Sequence, residues 1–490
     1  MSAIIREREG GAAVGGIILT ASHNPGGPAG DVGVKYNTGH GGPAPEGVTD
    51  AIYECSRKIA AFRECEALPE VDLSAVGRTD FVAAAGEAPA FTVEVISSTE
   101  DYCSAVLPCF DVPALRALLS RPDFRMVYDS MHGVAGPYAT AVLVDALGAD
   151  PSSLLNGTPK EDFGGGHPDP NLAYAEELVA AMGLTPEGTA SDGAAGAPDF
   201  GAAADGDADR NMVLGRGFFV TPSDSVAVIA ADWEAVRQFR EAGGLKGVAR
   251  SMPTSRALDS VASALGVPCF EVPTGWKWFG SLMDSAAVHG KTDYTPFLCG
   301  EESFGTGSSH VREKDGMWAV LAWLSVLAAR NADTAPGALV SVSDIVTEHW
   351  RTYGRCFYQR HDYEEVDAAK AEAVMDRLRG LVAAFDGPRD AAGVSLTACD
   401  EFEYTDPVTG DTAARQGMRL YFGEAGRVAF RLSGTGSVGA TIRMYVECIE
   451  SDASRLTADA ADVLAPFVAA ALDLSGLPDL TGRDKPTVIT

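Results

Sequence analysis

Short apolar segments that end in polar residues and lead into helix-like stretches recur along this 490-residue chain. Each apolar segment has the length of a buried β-strand, and strands that alternate with helices are typical of β-α units. The pattern therefore predicts an α/β fold with largely parallel or mixed sheets. In such sheets ligands bind at the carboxyl ends of the strands, where the polar residues lie. The segments are 16–19, 124–128, 200–204, 248–252 and 296–299.

The second half of the chain shows where this pattern ends. A helix is predicted over 318–332, with Asp315 as a favourable N-cap. Later, a helix over 364–385 is followed by several strands and a closing helix over 453–472. That order predicts a separate α+β domain at the C-terminus. Length also favours three to four domains, because a single core stops growing beyond about 250–300 residues.

Composition narrows the class of protein. Apolar residues make up 46% and charged residues 22%, as in an ordinary soluble globular chain. The net charge of -30 argues against a nucleic-acid partner, which needs clustered Lys and Arg. The nine cysteines include no C-x-x-C pair, so we expect reduced thiols and no zinc site. The longest apolar run, 318–329, is too short to cross a bilayer, and no signal peptide is predicted. We expect a cytoplasmic protein without membrane insertion.

The segment Thr20–Pro25 places Ser22 at the end of an apolar strand. A hydroxyl in that position is a candidate nucleophile that accepts and returns a phosphoryl group. His23 and Lys35 are candidates to transfer the proton or to neutralise charge. The alternative is an ordinary turn, because the Asn-Pro-Gly-Gly sequence after His23 favours turns.

The segment Asp205–Arg210 carries three carboxylates at alternate positions, Asp205, Asp207 and Asp209. They project to one side if the loop is extended, and a set of oxygen ligands suits the hard cation Mg²⁺. The alternative is a solvated acidic turn. The apolar strand before the segment favours the metal site, because it would bring the like charges together, where they need a counter-ion.

The segment Gly300–Gly305 follows another apolar strand and contains Glu301 and Ser303. A carboxylate and a hydroxyl close together can bind vicinal hydroxyls of a sugar. The alternative is a solvated loop, since glutamates in loops are mostly exposed. The position after a strand is what favours a sugar site.

The segment Arg431–Ser437 is basic and rich in glycine, and it lies between two apolar strands. Glycines allow backbone N–H groups to turn inward on an anion. Suitable hydroxyl and guanidinium groups come from Ser433, Thr435, Arg431 and Arg443. A glycine-serine hairpin turn is the alternative. No Lys follows in the Walker pattern, so a nucleotide P-loop is excluded.

Each segment alone is ambiguous, whereas the set describes a single phosphosugar site. With these segments in this order, the chain resembles the α-D-phosphohexomutases. Within them it is similar to the eukaryotic-type phosphoglucomutases, including the parafusin-like members. The resemblance covers nearly the whole chain, from about residue 16 onwards, and segments 273–280, 310–316 and 486–490 support the narrower assignment.

The resemblance implies four domains around a central cleft. Three would be related α/β domains, and the fourth would be an α+β domain that binds phosphate. Because only 21 residues precede Ser22, where the family has a sizeable α/β stretch, we expect a truncated N-terminus and an incomplete first domain. In order, the domains would carry the phosphoserine, metal-binding, sugar-binding and phosphate-binding loops. The implied ranges are 1–95, 96–216, 217–337 and 338–490.

The resemblance also implies a role for each candidate residue. Ser22 would be the phosphoserine and would hold Mg²⁺ together with Asp205, Asp207 and Asp209. Ala208 stands where a glycine is common in the family, and it would be strained if the loop needs a positive φ. The implied catalytic residues are Ser22, His23, Lys35, Arg210 and Lys314, and the implied substrate-binding residues are Thr274, Gly275, Glu301, Ser303, Arg431, Ser433, Thr435 and Arg443.

The implied reaction interconverts glucose 1-phosphate and glucose 6-phosphate through glucose 1,6-bisphosphate, which is also an activator. The expected partner is a small phosphosugar, and we expect a monomer that binds neither nucleic acid nor membrane. Two alternatives stay open. One is a non-catalytic, parafusin-like phosphoprotein or scaffold, and the other is a different hexose-phosphate mutase or a bisphosphate synthase.

Overall fold

The computed structural model describes residues 1–28, 30–64, 68, 70–81, 91–436 and 439–490, with the side chains of Glu9 and of 434–436 left out. Strands and helices alternate along most of it, which confirms the α/β class. In this part of the chain no single helix is long and apolar enough to cross a membrane; Glu100–Cys109 and Val112–Leu119 pass only as a pair bent by 93°. Short 3₁₀-helices cover Arg8–Gly10, Leu107–Cys109, Pro151–Ser153, Phe163–Gly165, Ala194–Gly196 and Trp233–Ala235.

The first region contains two small antiparallel sheets. Its elements are α1 (Ser2–Glu7), β1 (Gly15–Thr20), β2 (Gly33–Thr38), α2 (Glu46–Ser56), β3 (Gly77–Phe81) and β4 (Phe91–Val95). Strand β1 pairs with β2, and β3 pairs with β4. One face of the β1–β2 sheet leaves Ile17, Leu19 and Val34 exposed. The first region is joined to the third through Glu313, which accepts hydrogen bonds from Asn37 and from the backbone of Ser2.

The second region contains a five-stranded sheet in the order β6-β5-β7-β8-β9. Strands β6, β5 and β7 are parallel, and β8 and β9 continue the sheet in antiparallel fashion. Its elements are α3 (Glu100–Val106), α4 (Val112–Leu119), β5 (Met126–Asp129), α5 (Ala135–Ala139), a π-helix (Thr140–Ala146), β6 (Leu154–Leu155), α6 (Glu176–Ala181), β7 (Phe200–Ala204), β8 (Asn211–Gly215) and β9 (Phe218–Val220).

The third region repeats this plan, with a sheet in the order β11-β10-β12-β13. Three strands are again parallel and are followed by an antiparallel neighbour, which confirms that the two regions are related. Its elements are α7 (Pro222–Ala231), α8 (Arg237–Glu241), β10 (Gly247–Ser251), α9 (Ala257–Leu265), β11 (Cys269–Val272), α10 (Lys277–Met283), β12 (Phe297–Gly300), β13 (Thr306–Ser308), α11 (Gly316–Arg330) and α12 (Val342–Tyr353). The Asp315 carboxylate caps α11 by accepting from the backbone of Trp318, as predicted.

The fourth region is built on an antiparallel sheet in the order β17-β20-β21-β22-β14-β23. Its helices are α13 (Ala368–Ala383), α14 (Ala460–Ser475) and α15 (Leu477–Thr481). Its strands are β14 (Arg355–Val366), β15 (Arg389–Ala391), β16 (Val394–Leu396), β17 (Ala398–Glu401), β18 (Tyr404–Thr405), β19 (Thr412–Ala413), β20 (Met418–Phe422), β21 (Gly426–Gly436), β22 (Gly439–Glu450) and β23 (Val488–Ile489).

Two helix boundaries predicted in this region were wrong. The helix predicted from residue 364 begins at Ala368, because the preceding residues pair with β22 and Asp367 caps the helix. The helix predicted from residue 453 begins at Ala460, where Asp459 supplies the cap. In both cases an aspartate that satisfies the first free N–H groups marks the start. The division into ranges that end at 95, 216 and 337 stays a prediction.

A network of buried ion pairs joins the third region to the fourth. Glu271 on β11 accepts hydrogen bonds from Arg250 (2.9 Å), Arg419 (2.5 Å) and Arg427 (2.7 Å). Glu447 on β22 pairs with Arg427 at 3.0 Å and lies almost wholly buried. Burial raises the pKa of Glu271, but the three arginines outweigh it and lower the pKa to about 2. The Glu271 carboxylate is therefore charged at neutral pH.

We expect Glu271→Gln to lower the free energy of unfolding by about 2–4 kcal/mol, because it leaves buried guanidinium groups without their shared partner. The matched control Asp400→Asn also removes a carboxylate from Arg419, but one that is 43% exposed, and should cost less than about 1 kcal/mol. Calorimetry at neutral pH measures both. The cost of Glu271→Gln should shrink as the pH falls from 4.5 towards 2, because Glu271 of the unfolded wild type takes up a proton in this range, whereas the folded form keeps its charge until about pH 2. Equal shifts for the two variants would contradict the prediction.

Candidate active site

Ser22 lies on the turn that follows β1, next to the acidic segment of the second region. Its backbone is left-handed, with a φ of 56°. The Ser22 N–H donates to the Thr20 hydroxyl at 2.7 Å, and that hydroxyl donates to Asp207 at 3.0 Å. The Nδ1 atom of His23 lies 3.4 Å from the Ser22 hydroxyl oxygen. Two of the segments predicted from the sequence thus meet directly.

The three aspartates that follow β7 form one cluster. Candidate ligand oxygens of Asp205, Asp207 and Asp209 lie within 4.8 Å of one another. One buried oxygen of each carboxylate has no hydrogen-bond partner among the described residues. Burial, together with the charges of Asp209 and Asp207, raises the pKa of Asp205. Clustered oxygens without partners fit a hard divalent cation.

Two basic side chains balance this negative charge. Lys35 on β2 lies 2.6 Å from Asp207 and 3.5 Å from Asp209. Arg210 packs beside the cluster and pairs with Asp169 at 3.2 Å. Asp169 was not among the predicted site residues. Asp169 lies 41 positions before Arg210 in the sequence, and no regular sequence pattern marks it as a site residue.

Two positions of the acidic loop have tight backbone requirements. Ala208 has a φ of 64°, so the condition under which strain was expected is met, because L-residues avoid this region. Gly206 packs so closely on the carbonyl oxygen of Ser22 that a Cβ atom there would overlap it. The acidic loop and the Ser22 loop are therefore in backbone contact.

The protonation states of the candidate acid-base groups differ. Burial and the charge of Arg210 lower the pKa of His23 to about 4, so its ring is neutral at pH 7. Burial alone would lower the pKa of Lys314, but Glu301 and Asp209 raise it, so this ammonium stays charged. The lowered pKa and the short distance to Ser22 single out the His23 ring as the neutral group beside the hydroxyl.

The loop after β12 connects the acidic loop to the third region. Arg210 forms a backbone bridge with Gly305, and the Glu301 carboxylate pairs with Lys314 at 3.0 Å. Glu301 also accepts from the backbone N–H of Gly275 at 3.2 Å. Ser303 is half-buried in the same loop. The predicted sugar-binding residues therefore lie beside the acidic cluster.

The basic end of the site is formed by three neighbouring strands. Arg431 on β21 lies opposite Arg443 on β22, and Asp362 on β14 lies opposite Arg443 on its other side. Like charges directly opposite each other are destabilising, so this pair needs an anion nearby. The Asp362 carboxylate supplies part of the negative charge that the pair needs. It lies 3.6 Å from Arg443 and 3.1 Å from Arg360.

Arg431 also connects this end to the third region, because it donates to the Thr274 hydroxyl at 2.5 Å. Asp362 and Arg360 were not predicted from the sequence, since only the strand register places Asp362 opposite Arg443, and Arg360 joins them through its ion pair with Asp362. Ser433 is half-buried on β21. The side chain of Thr435 and the whole of Ser437 lie outside the described residues.

Comparisons with known proteins match every region of the chain. Family models of phosphoglucomutase/phosphomannomutase α/β/α domains I, II and III match residues 1–63, 100–217 and 222–353. A model of the phosphoglucomutase-1 C-terminal domain matches 355–487. A probable cytoplasmic phosphoglucomutase 2 from Arabidopsis thaliana and a cytoplasmic phosphoglucomutase 1 from Zea mays are each 54% identical over the whole chain and 83% of the relative. The chain belongs to the phosphoglucomutase/phosphomannomutase family.

A solved member of this family has a very similar structure. It is the exocytosis-sensitive phosphoprotein pp63/parafusin, a phosphoglucomutase, from Paramecium in its open form. The TM-score is 0.87 at 46% identity, and the match covers the whole of this chain and 81% of that one. The four-domain phosphohexomutase architecture and the narrower resemblance to eukaryotic phosphoglucomutases are thereby confirmed.

We expect Ala208→Gly to raise the free energy of unfolding by about 0.5–1 kcal/mol, because glycine adopts a positive φ without steric strain. The matched control Ala373→Gly, inside helix α13, should lower it by a similar amount. Urea denaturation measures both changes. Destabilisation of similar size by both substitutions would show that the Ala208 backbone is not strained.

Proposed function

We propose that this chain is a cytoplasmic phosphoglucomutase that carries its phosphoryl group on Ser22. The observation that carries the proposal is the direct contact between the Ser22 loop and the aspartate cluster, through Thr20 and Asp207. A hydroxyl beside a cation site is what phosphoryl transfer through a covalent intermediate requires. The enzymatic class follows that of the relatives, which are named phosphoglucomutases.

In the proposed reaction, phosphorylated Ser22 donates its phosphoryl group to glucose 1-phosphate, and glucose 1,6-bisphosphate forms. The bisphosphate turns round, and the Ser22 hydroxyl takes back the other phosphoryl group to leave glucose 6-phosphate. The neutral His23 ring, 3.4 Å from the hydroxyl, is suited to accept the Ser22 proton when that group is returned. Lys35 and Arg210 offset negative charge around the transfer.

The cofactor we propose is Mg²⁺. Asp205, Asp207 and Asp209 would hold it, together with phosphorylated Ser22, since each aspartate keeps a buried oxygen that has no hydrogen-bond partner in the part of the chain that the structure describes. When bound, the ion would neutralise charge on the phosphoryl group in transfer.

The other groups would bind the substrate at a distance from the reacting phosphoryl. Glu301 and Ser303 would bind sugar hydroxyls, with Thr274 and Gly275 beside them and Lys314 holding the Glu301 carboxylate. The phosphate that is not being transferred would bind between Arg431 and Arg443, whose mutual repulsion it would relieve. Ser433 and Thr435 would add hydroxyl donors. We propose that a monomer carries out the whole reaction.

We expect the protein to convert glucose 1-phosphate to glucose 6-phosphate in the presence of Mg²⁺ and a trace of glucose 1,6-bisphosphate. Ser22→Ala should lower the rate by at least about 10³-fold, because no covalent carrier remains. Ser56→Ala, which removes a hydroxyl from an exposed position on α2, should leave the rate unchanged. A coupled assay for glucose 6-phosphate and intact-mass measurement of the bound phosphoryl group test both variants.

The same assay separates the alternatives. Turnover that survives Ser22→Ala would reject Ser22 as the carrier. An inactive wild-type chain would favour the scaffold. A higher kcat/KM with mannose 1-phosphate than with glucose 1-phosphate would favour a different hexose-phosphate mutase.

We expect Asp207→Asn to weaken the binding of Mg²⁺ by about 10-fold or more, because the variant loses one charged oxygen ligand. Calorimetric titration with MgCl₂ alone, in the absence of substrate, measures the affinity. The control is Asp72→Asn, which changes an exposed aspartate far in sequence from the cluster. This variant should bind Mg²⁺ like the wild type. Equal affinity for all three proteins would place the cation elsewhere.

A further inference from the structure

The loop that follows β6 lies over both the Ser22 loop and the acidic loop. It contains the 3₁₀-helix Phe163–Gly165, in which Phe163 has a φ of 53°. Bulky residues rarely adopt this left-handed conformation. Backbone hydrogen bonds hold it, from Phe163 to Lys160 and from Gly165 to Asp162. An unfavourable conformation maintained beside a reaction centre suggests that the side chain at this position has a role.

The ring of Phe163 packs against a glycine on each of two sides, and a larger residue at either glycine position would overlap the ring. A Cβ atom on Gly26 would lie 2.8 Å from Cε2 of the ring, and a Cβ atom on Gly206 would lie 2.9 Å from Cζ. Gly26 belongs to the Ser22 loop, and Gly206 belongs to the acidic loop. Different atoms of one half-buried ring therefore contact both loops, at the place where Gly206 also packs on the Ser22 carbonyl.

The base of this loop is anchored in the second region. Lys160 donates from its backbone to the carbonyl of His132 at 2.9 Å, and its ammonium lies 3.1 Å from the His132 ring. A few residues later, the Pro168 carbonyl accepts from the N–H of Gly206 at 3.1 Å. The ring is thus held by the second region, whereas the Ser22 loop that it contacts belongs to the first.

We infer that Phe163 is a positioning residue for phosphoryl transfer, whose ring sets the Ser22 loop against the aspartate cluster. The inference rests on the proposed role of Ser22. In-line transfer is sensitive to displacements of about 1 Å, which cost up to about 10²-fold in rate. The ring acts through its contacts with Gly26 and Gly206 and so changes the alignment of the nucleophile without binding the sugar.

Two substitutions of Phe163 distinguish the effect of losing the ring from the effect of the strained backbone conformation. Phe163→Ala removes the ring and keeps an unfavourable φ, whereas Phe163→Gly removes the ring and relieves the strain, so it folds even if the alanine variant does not. We expect kcat to fall about 10- to 100-fold in both variants. The KM for glucose 1-phosphate should change by less than about 3-fold, because the substrate-binding groups are untouched. Phe218→Ala, which removes a half-buried ring that packs on Trp350, should not lower kcat in this way.

Hydrogen exchange provides a readout that does not depend on activity. Amides of the peptide 20–27 should exchange faster in both Phe163 variants than in the wild type or in Phe218→Ala. A glycine variant with wild-type kcat would overturn the inference, because the ring would then be dispensable. An inactive wild-type chain would contradict the proposed function instead. In that case the exchange data still decide, since unchanged protection of 20–27 would overturn the positioning role and faster exchange would support it.

Discussion

The repulsion among three carboxylates at the end of β7 governs the arrangement of the surrounding residues. Like charges that are partly buried are costly unless cations or donors surround them. The chain provides Lys35 from β2 and Arg210 from the loop itself, and Thr20 donates a hydrogen bond to Asp207. Because Lys35 and Thr20 belong to the strands on either side of Ser22, the balance of charge also fixes the position of Ser22. Carboxylate oxygens of the cluster that have no hydrogen-bond partner among the residues described above are available to one divalent cation.

A continuous series of contacts extends from this cluster to the arginine pair of the fourth region, Arg431 and Arg443. The backbone bridge of Arg210 with Gly305 leads to Glu301, which contacts Gly275, and the adjoining Thr274 contacts Arg431. The first and last of these contacts cross from one region to the next, whereas Glu301 and Gly275 both belong to the third region, so the site exists only when the regions pack together. The same face of the fourth sheet carries two kinds of arginine. Those facing Glu271 and Glu447 are neutralised by protein carboxylates, whereas Arg431 and Arg443 face each other and favour a bound anion.

Much of the fold was predictable because the relevant signals are local. The strand at 200–204 and the cap at Asp315 follow from apolar runs and from the need to satisfy free N–H groups at a helix start. Predictions failed where distant pairing decided the outcome. The residues just before Ala368 read as helix in isolation but pair with β22, because the ladder with that strand satisfies their backbone groups. The conformation of Ser22, by contrast, agrees with the turn chemistry around it.

What the sequence by itself determined is the chemical inventory: a hydroxyl, three alternate carboxylates, a loop with a glutamate and a serine, and a basic glycine-rich loop, each at the end of an apolar strand. These follow from residue type and short-range spacing, which a linear sequence contains. Only the tertiary structure decided the partners, such as Asp169 for Arg210 and Asp362 for Arg443. It also decided that the ring of Phe163 lies between two glycines of different loops. Such contacts depend on strand register and on the packing of separate regions, and neither leaves a periodic trace in the sequence.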